Sequence, residues 1–316
     1  MKVKIFISAI LLFFLTSCDD SVEPNGEFRE KTILLGILEP GISQQLINVA
    51  KSYPTAESIL PENLPVQNAD VKIWFDEEIK KFHFTEIEVS DTIIKGGKLG
   101  IYRNNDFEII SGKTYEVEAL MDNGDRLSAV TTVPERLGIY NFPENRKVNP
   151  ENGDDVIVKW ETFDENFKIL KANIVYEKPV NGELVQFKAP LPQRYENRNG
   201  ELIPVYHKPG NVNSFIIDGM ALDRELRKIG EGREKKFEII IKYISMEILT
   251  YDVNLSRYIE STSGSNNSII TIDQVSFSNV TGGEGFFGSF NRQYSNFYFD
   301  FEYVRSLGYT PRDIIE

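Results

Sequence analysis

Cysteine is nearly missing from this chain: Cys18 is the only one in 316 residues. No disulfide can brace the fold, no thiol beyond residue 18 can serve as a nucleophile, and no cysteine-based zinc site can form. Histidine is almost as scarce, with only His83 and His207, which stand at no metal-ligand spacing such as His-x-x-x-His. An excess of positive charge is lacking too. The 35 basic residues face 48 acidic ones, for a formal net charge of −13. That balance argues against nucleic acid and against adsorption on anionic lipid surfaces, both of which need basic patches. No apolar run reaches the roughly 18 residues of a membrane-spanning helix.

What is present begins with a leader. Lys2 and Lys4 precede an apolar stretch, Ile5 to Leu15 (IFISAILLFFL), which as a helix rises about 16 Å, half of a bilayer core. The next residues, Leu15-Thr16-Ser17-Cys18, resemble the lipobox read by the bacterial lipoprotein peptidase. The expectation is a signal peptide over 1–17, cleavage before Cys18, and acyl chains of the palmitate kind on that cysteine. Each buried CH₂ contributes about 0.8 kcal/mol, so several chains make a lasting membrane anchor. The alternative is an ordinary secretory signal with an incidental cysteine. The acidic, turn-rich stretch 18–27 (CDDSVEPNGE) reads as a flexible tether. Acids directly behind the cysteine resemble the surface-export signal of Bacteroidota lipoproteins, which favours the cell surface over the periplasmic face.

The remainder reads as mainly β. Alternating or β-prone runs occur at 32–38, 71–75, 81–89, 115–120 and 127–133, the last two around the turn Asp122-Asn123-Gly124-Asp125. Short strands at this spacing, with no helical stretch between them, predict an immunoglobulin-like β-sandwich over 28–134. A second β-rich domain is expected over 135–316, with strands at 156–162, 172–178, 184–188, 215–217, 236–245 and 269–277 and an aromatic strand at 297–301. Short helices are expected near 221–229, where Asp218 can cap and Gly230 stops, and near 247–259. In the latter, Ile248, Tyr251, Leu255, Tyr258 and Ile259 fall on one helical face. Pro190 to Gly210 reads as a long proline-rich loop, and Ser261 to Ser268 as another loop.

The late segment Ser278-Asn279-Val280-Thr281-Gly282-Gly283-Glu284-Gly285-Phe286-Phe287-Gly288, the hairpin Asp122-Asn123-Gly124 through Val133-Pro134, and Cys18 together carry a resemblance. They are similar to a Bacteroidota outer-membrane lipoprotein family of unknown function, often encoded beside TonB-dependent receptors. The resemblance spans most of the chain and implies location and context only; beside it, an outer-membrane β-barrel protein is the partner expected for an accessory role. It implies no activity.

Chemical motifs are few. The Gly282–Gly288 run lacks the Gly-Lys-Ser/Thr ending of a phosphate loop and has no βαβ context, so its glycines are expected to serve a tight turn or bulge, with Phe286 or Phe287 packing inward. His83 sits in an alternating strand with Phe82 and Phe84 on the opposite face, so it is expected to face solvent. No Gly-x-Ser-x-Gly elbow is present. Acid pairs abound but none is singled out as a glycosidase pair, and neither Glu151–Asp155 nor Asp122–Asp125 has the spacing of an EF-hand calcium loop. No metal or cofactor is expected, and no catalytic residue.

Aromatic residues are the remaining clue. Tyr195, Tyr206 and His207 in the proline-rich loop, with Phe286 and Phe287, are the candidate partner or ligand contacts, although aromatics that alternate in a strand are more often core. The functional expectation is a lipid-anchored, non-catalytic accessory or binding protein, attached to the membrane through Cys18. The alternative is a surface module that captures glycan or peptide nutrients.

Overall fold

The first strand of the chain finds its neighbour some 250 residues later. In the computed structural model, β1 (Thr32–Leu38) pairs in parallel with a late strand, Ile33 standing opposite Glu284 and Leu38 opposite Ser289. The structure describes residues 29–53, 64–88, 98–140, 147–152, 154–160, 165–262 and 277–312. The signal peptide expected over 1–17, Cys18, the tether expected to residue 27, the loop expected at 261–268 past Thr262 and the strand expected at 269–277 fall outside them, apart from Phe277. Lys31–Glu316 form one compact unit.

The chain is mainly β. After β1 come β2 (Gln45–Lys51), β3 (Asp70–Phe75), β4 (Glu78–Glu88), β5 (Lys98–Asn104), β6 (Thr114–Leu120) and β7 (Arg126–Thr132). They lie side by side in the order β1-β2-β5-β4-β3-β6-β7, and every pairing is antiparallel. The far edge returns towards the start through two hydrogen bonds between Ser128 and Thr281, of 3.1 and 2.8 Å. The enclosed core holds Leu34, Ile47, Ile73, Tyr102, Tyr115 and Leu127, together with Val280 and Phe287 from the late segment. This sandwich-like layout follows from the period-two patterning of the strands.

The later elements are β8 (Ile139–Tyr140), β9 (Lys147–Val148), β10 (Val156–Trp160), β11 (Lys168–Val180), β12 (Glu183–Leu191), β13 (Arg194–Arg198), β14 (Glu201–Val205), β15 (Ser214–Ile217), helix α1 (Gly219–Ile229), β16 (Ile240–Tyr251), helix α2 (Val253–Thr262), β17 (Glu284–Phe299), helix α3 (Phe301–Ser306) and β18 (Thr310–Pro311). Strands β12-β11-β16-β17 continue the large sheet, and β15-β10-β8 form a second, three-stranded one. Leu170, Ile174, Ile244, Met246 and Phe297 of the first sheet share a core with Val158, Trp160 and Phe215 of the second, closed by Leu222 and Leu226 of α1.

β17 is the seam. Its first part pairs with β1, and Phe290–Phe297 pair antiparallel with β16. Ser289, Asn291 and Gln293 alternate along one face and hold the connecting segment after β7: Ser289 Oγ donates to the Thr132 carbonyl, Asn291 Nδ2 to that of Pro134, and Gln293 brackets the backbone of Leu137.

Three expectations are corrected. The helix expected near 247–259 starts only at Val253, because Glu247–Tyr251 are the end of β16 and are hydrogen-bonded on both sides, to β11 and β17. Ladder pairing on two edges outweighs an amphipathic spacing that also fits a helix. The chain breaks at Asp252, whose carboxylate accepts the Leu255 amide at 2.8 Å and caps α2. Second, Pro190–Gly210 is largely the hairpin β13–β14, not a loop. Asn199 and Gly200, at φ 56° and 88°, supply the two left-handed residues of a tight hairpin turn, and Pro204 lies on a strand with one open edge. Third, the helices number three among the described residues, and the aromatic strand ends at Phe299, since Asp300 caps α3 by accepting the Tyr303 amide.

Candidate functional site

α1 owes its position to its caps. Asp218 Oδ1 accepts from the amides of Met220 and Ala221, and the Gly219 amide donates to Asp155 Oδ1 at 2.8 Å. Ala221, Leu222 and Leu226 face the core, which turns Asp223, Arg224, Arg227 and Lys228 outward. The β13–β14 hairpin stands beside this polar face. Between them opens a cleft of about 820 Å³, lined chiefly by Tyr195, Leu202, Met220, Arg224, Arg227 and Lys236.

Two ion pairs order the side chains of the cleft, Asp223–Arg227 and Glu225–Lys228. Arg227 Nε bonds both oxygens of Asp223 at 2.9 Å, and the Tyr303 hydroxyl donates to the same carboxylate at 2.5 Å. Burial works against the Asp223 carboxylate, yet these two donors hold it below the usual carboxylate range. Tyr303 is pushed well up by its burial and by Asp223. Tyr195 donates its hydroxyl to Glu225, and Lys228 bridges the same pair, at 2.7 Å from the Glu225 carboxylate. Burial first, and then Glu225, raise the Tyr195 pKa, so the phenol keeps its proton at neutral pH.

Arg224 differs. Its guanidinium lies over the Tyr195 ring, 4.9 Å from the ring centre, and has no acceptor among the described residues. Beside it Met220 is 83% exposed. The geometry thus offers a forked cation on an aromatic ring, next to a flexible apolar side chain. Neither Arg224 nor Met220 was singled out in the sequence. The signal available there was the polar face of the helix expected at 221–229, which by itself resembles any solvated face.

The five candidate contact residues are scattered. Only Tyr195 lines the cleft. Tyr206 is half exposed beyond the end of β14. His207 packs edge-on against Phe215, ring centres 4.8 Å apart, and its buried Nε2 has no hydrogen-bond partner among the described residues. Burial, with Arg194 nearby, lowers its pKa to about 4. Phe286 and Phe287 are core residues: they point to opposite sides of β17, Phe286 stacking on Tyr258 of α2 and Phe287 filling the N-terminal core. Buried in this way they present no contact surface. His83 is exposed.

The glycine-rich run serves close packing. A side chain at Gly285, where φ is +113°, would come within 2.0 Å of the Leu34 carbonyl, so the β1–β17 pairing requires glycine there. Asn279 fixes the approach, accepting from the Phe287 amide at 2.9 Å and donating to its carbonyl at 2.8 Å. In the Asp122–Asp125 turn, Asn123 is committed to Asp125 through two hydrogen bonds. Among the described residues no three carboxylate, histidine or cysteine side chains converge as metal ligands, and no helix is long and apolar enough to cross a membrane.

A search of curated proteins returns no match. A family model does match, over residues 19–295, and its description is "Domain of unknown function (DUF4249)"; the chain belongs to that family.

Proposed function

We propose that this is a lipid-anchored binding protein of a Bacteroidota outer membrane, held by acyl chains on Cys18 and displayed at the cell surface. It acts without catalysis or cofactor, by docking an outer-membrane β-barrel protein of the TonB-dependent receptor kind. The observation that supports binding is Arg224, which lines the cleft and lies over the Tyr195 ring without an acceptor among the described residues. A docking residue of this kind combines a rigid ring with a preorganised cation. Pull-down of the native lipoprotein in mild detergent tests the reading: a barrel protein is recovered with the wild type and lost with Arg224→Ala. Recovery of the lipoprotein alone overturns it. The anchor is tested separately, since Cys18→Ser abolishes acylation and mature membrane attachment, and a variant that still matures onto the membrane refutes it.

A second reading, a surface module that captures glycan or peptide, draws on the exposure of Tyr294 far from the cleft-lining residues in sequence.

A further inference from the structure

The outer face of the β11–β16–β17 sheet carries a row of uncharged hydrogen-bonding side chains. Ala172, Ile174, Ile244, Met246 and Phe297 project into the core, so their strand neighbours Asn173, Ser245 and Asn296 project away from it. The register sets these three abreast: Asn173 opposes Ser245, and Ser245 opposes Asn296. Two strand spacings give the row a length of about 10 Å. None of the three side chains has a partner among the described residues, and Asn296 is exposed while the other two are half-buried.

Tyrosines flank the row. On one side Tyr294, opposite Glu247, is 71% exposed. On the other, Tyr243 and Tyr298 meet edge-to-face with ring centres 6.4 Å apart. Of the strong charges nearby, Arg292 is clasped by Glu39 and Glu247, while Lys171 stands opposite Glu247 in register and is exposed.

We infer that this face is a binding platform for a neutral oligosaccharide. Each amide donates and accepts at once, as does the serine hydroxyl, which suits the hydroxyls of a sugar. Tyrosine rings offer flat apolar surface to the C–H faces of a pyranose. An apolar partner would leave the amide row desolvated and unpaired, which is costly. An anionic ligand would gain little from Arg292, which two carboxylates already hold. The platform goes beyond the docking role of the cleft and uses different residues.

The full mature chain, solubilised in detergent, is run in native gels containing dextran, starch, mannan or xyloglucan, with alginate and pectin as acidic controls. Affinity for any neutral polysaccharide that retards it is then measured by calorimetry with the matching oligosaccharide. At least one neutral glycan is expected to bind. Tyr294→Ala and the double variant Asn173→Ala/Asn296→Ala each weaken binding at least tenfold, with melting temperatures within a few degrees of wild type, whereas Arg224→Ala leaves it unchanged. Failure of all neutral polysaccharides, retardation by the acidic ones only, or undiminished binding by both platform variants overturns the proposal. Arg224→Ala and the barrel pull-down report on the cleft independently.

Discussion

Thr131 donates its hydroxyl to the carboxylate of Asp252, a contact made across 121 residues of sequence at the point where β7, β17 and the start of α2 meet. The same threonine hydroxyl lies 3.0 Å from Ser289 Oγ, and the Asp252 amide donates to the Ser289 carbonyl at 2.9 Å. Asp252 is thus at once a helix cap and a tie between distant strands, with only 1% of its surface exposed.

Removing this carboxylate tests the tie. Asp252→Ala leaves Thr131 and the Leu255 amide without their acceptor and is expected to cost about 2–4 kcal/mol. Asp252→Asn keeps an acceptor for the amide and is expected to cost less than about 1.5 kcal/mol. Burial raises the Asp252 pKa, although its hydrogen bonds oppose this. A raised folded value means that the favourable contribution is complete below the unfolded carboxylate pKa and fades as pH rises through the folded one. The stability of the wild type relative to the non-titrating Asp252→Asn variant should therefore fall from pH 3.5 to pH 7 in urea unfolding curves.

His207 titrates in the opposite sense. Its pKa of about 4 lies below the ordinary 6.5, so the folded protein binds fewer protons than the unfolded chain between those values. The stability it supports is complete above pH 6.5 and lost as pH falls towards 4. Partial exposure limits the effect to about 1–3 kcal/mol. His207→Phe keeps an aromatic ring beside Phe215 and should flatten this part of the stability–pH curve. Equal slopes for both proteins would refute the assignment.

Gly285→Ala places a methyl group against the Leu34 carbonyl at a left-handed φ. A cost of about 3 kcal/mol or more is expected, with loss of soluble expression as the practical readout. Asn279→Ala, which removes the side chain that braces Phe287, should cost about 2 kcal/mol in thermal unfolding.

Tyr195→Phe removes one hydroxyl shared by Glu225 and Lys228 while keeping the ring under Arg224. A loss of about 1 kcal/mol in stability is expected, with pull-down of a barrel partner retained. Loss of the partner by this variant would shift the docking role from the ring to the hydroxyl.

The sequence was readable where alternation and turn chemistry agreed. β3, β4, β6 and β7 lie close to where period-two patterning puts them, and Asn181-Gly182, at φ 54° and 88°, makes a tight turn between β11 and β12. β2 escaped because its pattern is inverted at one end. Gln45 is buried and Leu46 exposed, since the Gln45 amide turns inward to bond the carbonyls of Glu39 and Ile42 in the β1–β2 turn. The hairpin β13–β14 was masked by its prolines, which penalise only a strand that is paired on both sides. The cleft was not legible. Tyr195 and Arg224 sit 29 positions apart, and only the tertiary packing of α1 beside the hairpin brings them together.

The position of β17 bears on how the protein comes to be made. A chain growing from its N-terminus presents β1 with one edge unpaired until residue 284 and its followers arrive, and Phe287 is missing from the first core until then. Such non-local closure is slow, and an open strand edge invites pairing with other chains. The nascent protein therefore stays vulnerable to aggregation until β17 has been synthesised, a demand that falls on the chaperones that meet the growing chain. A premature stop anywhere before β17 would leave both cores incomplete.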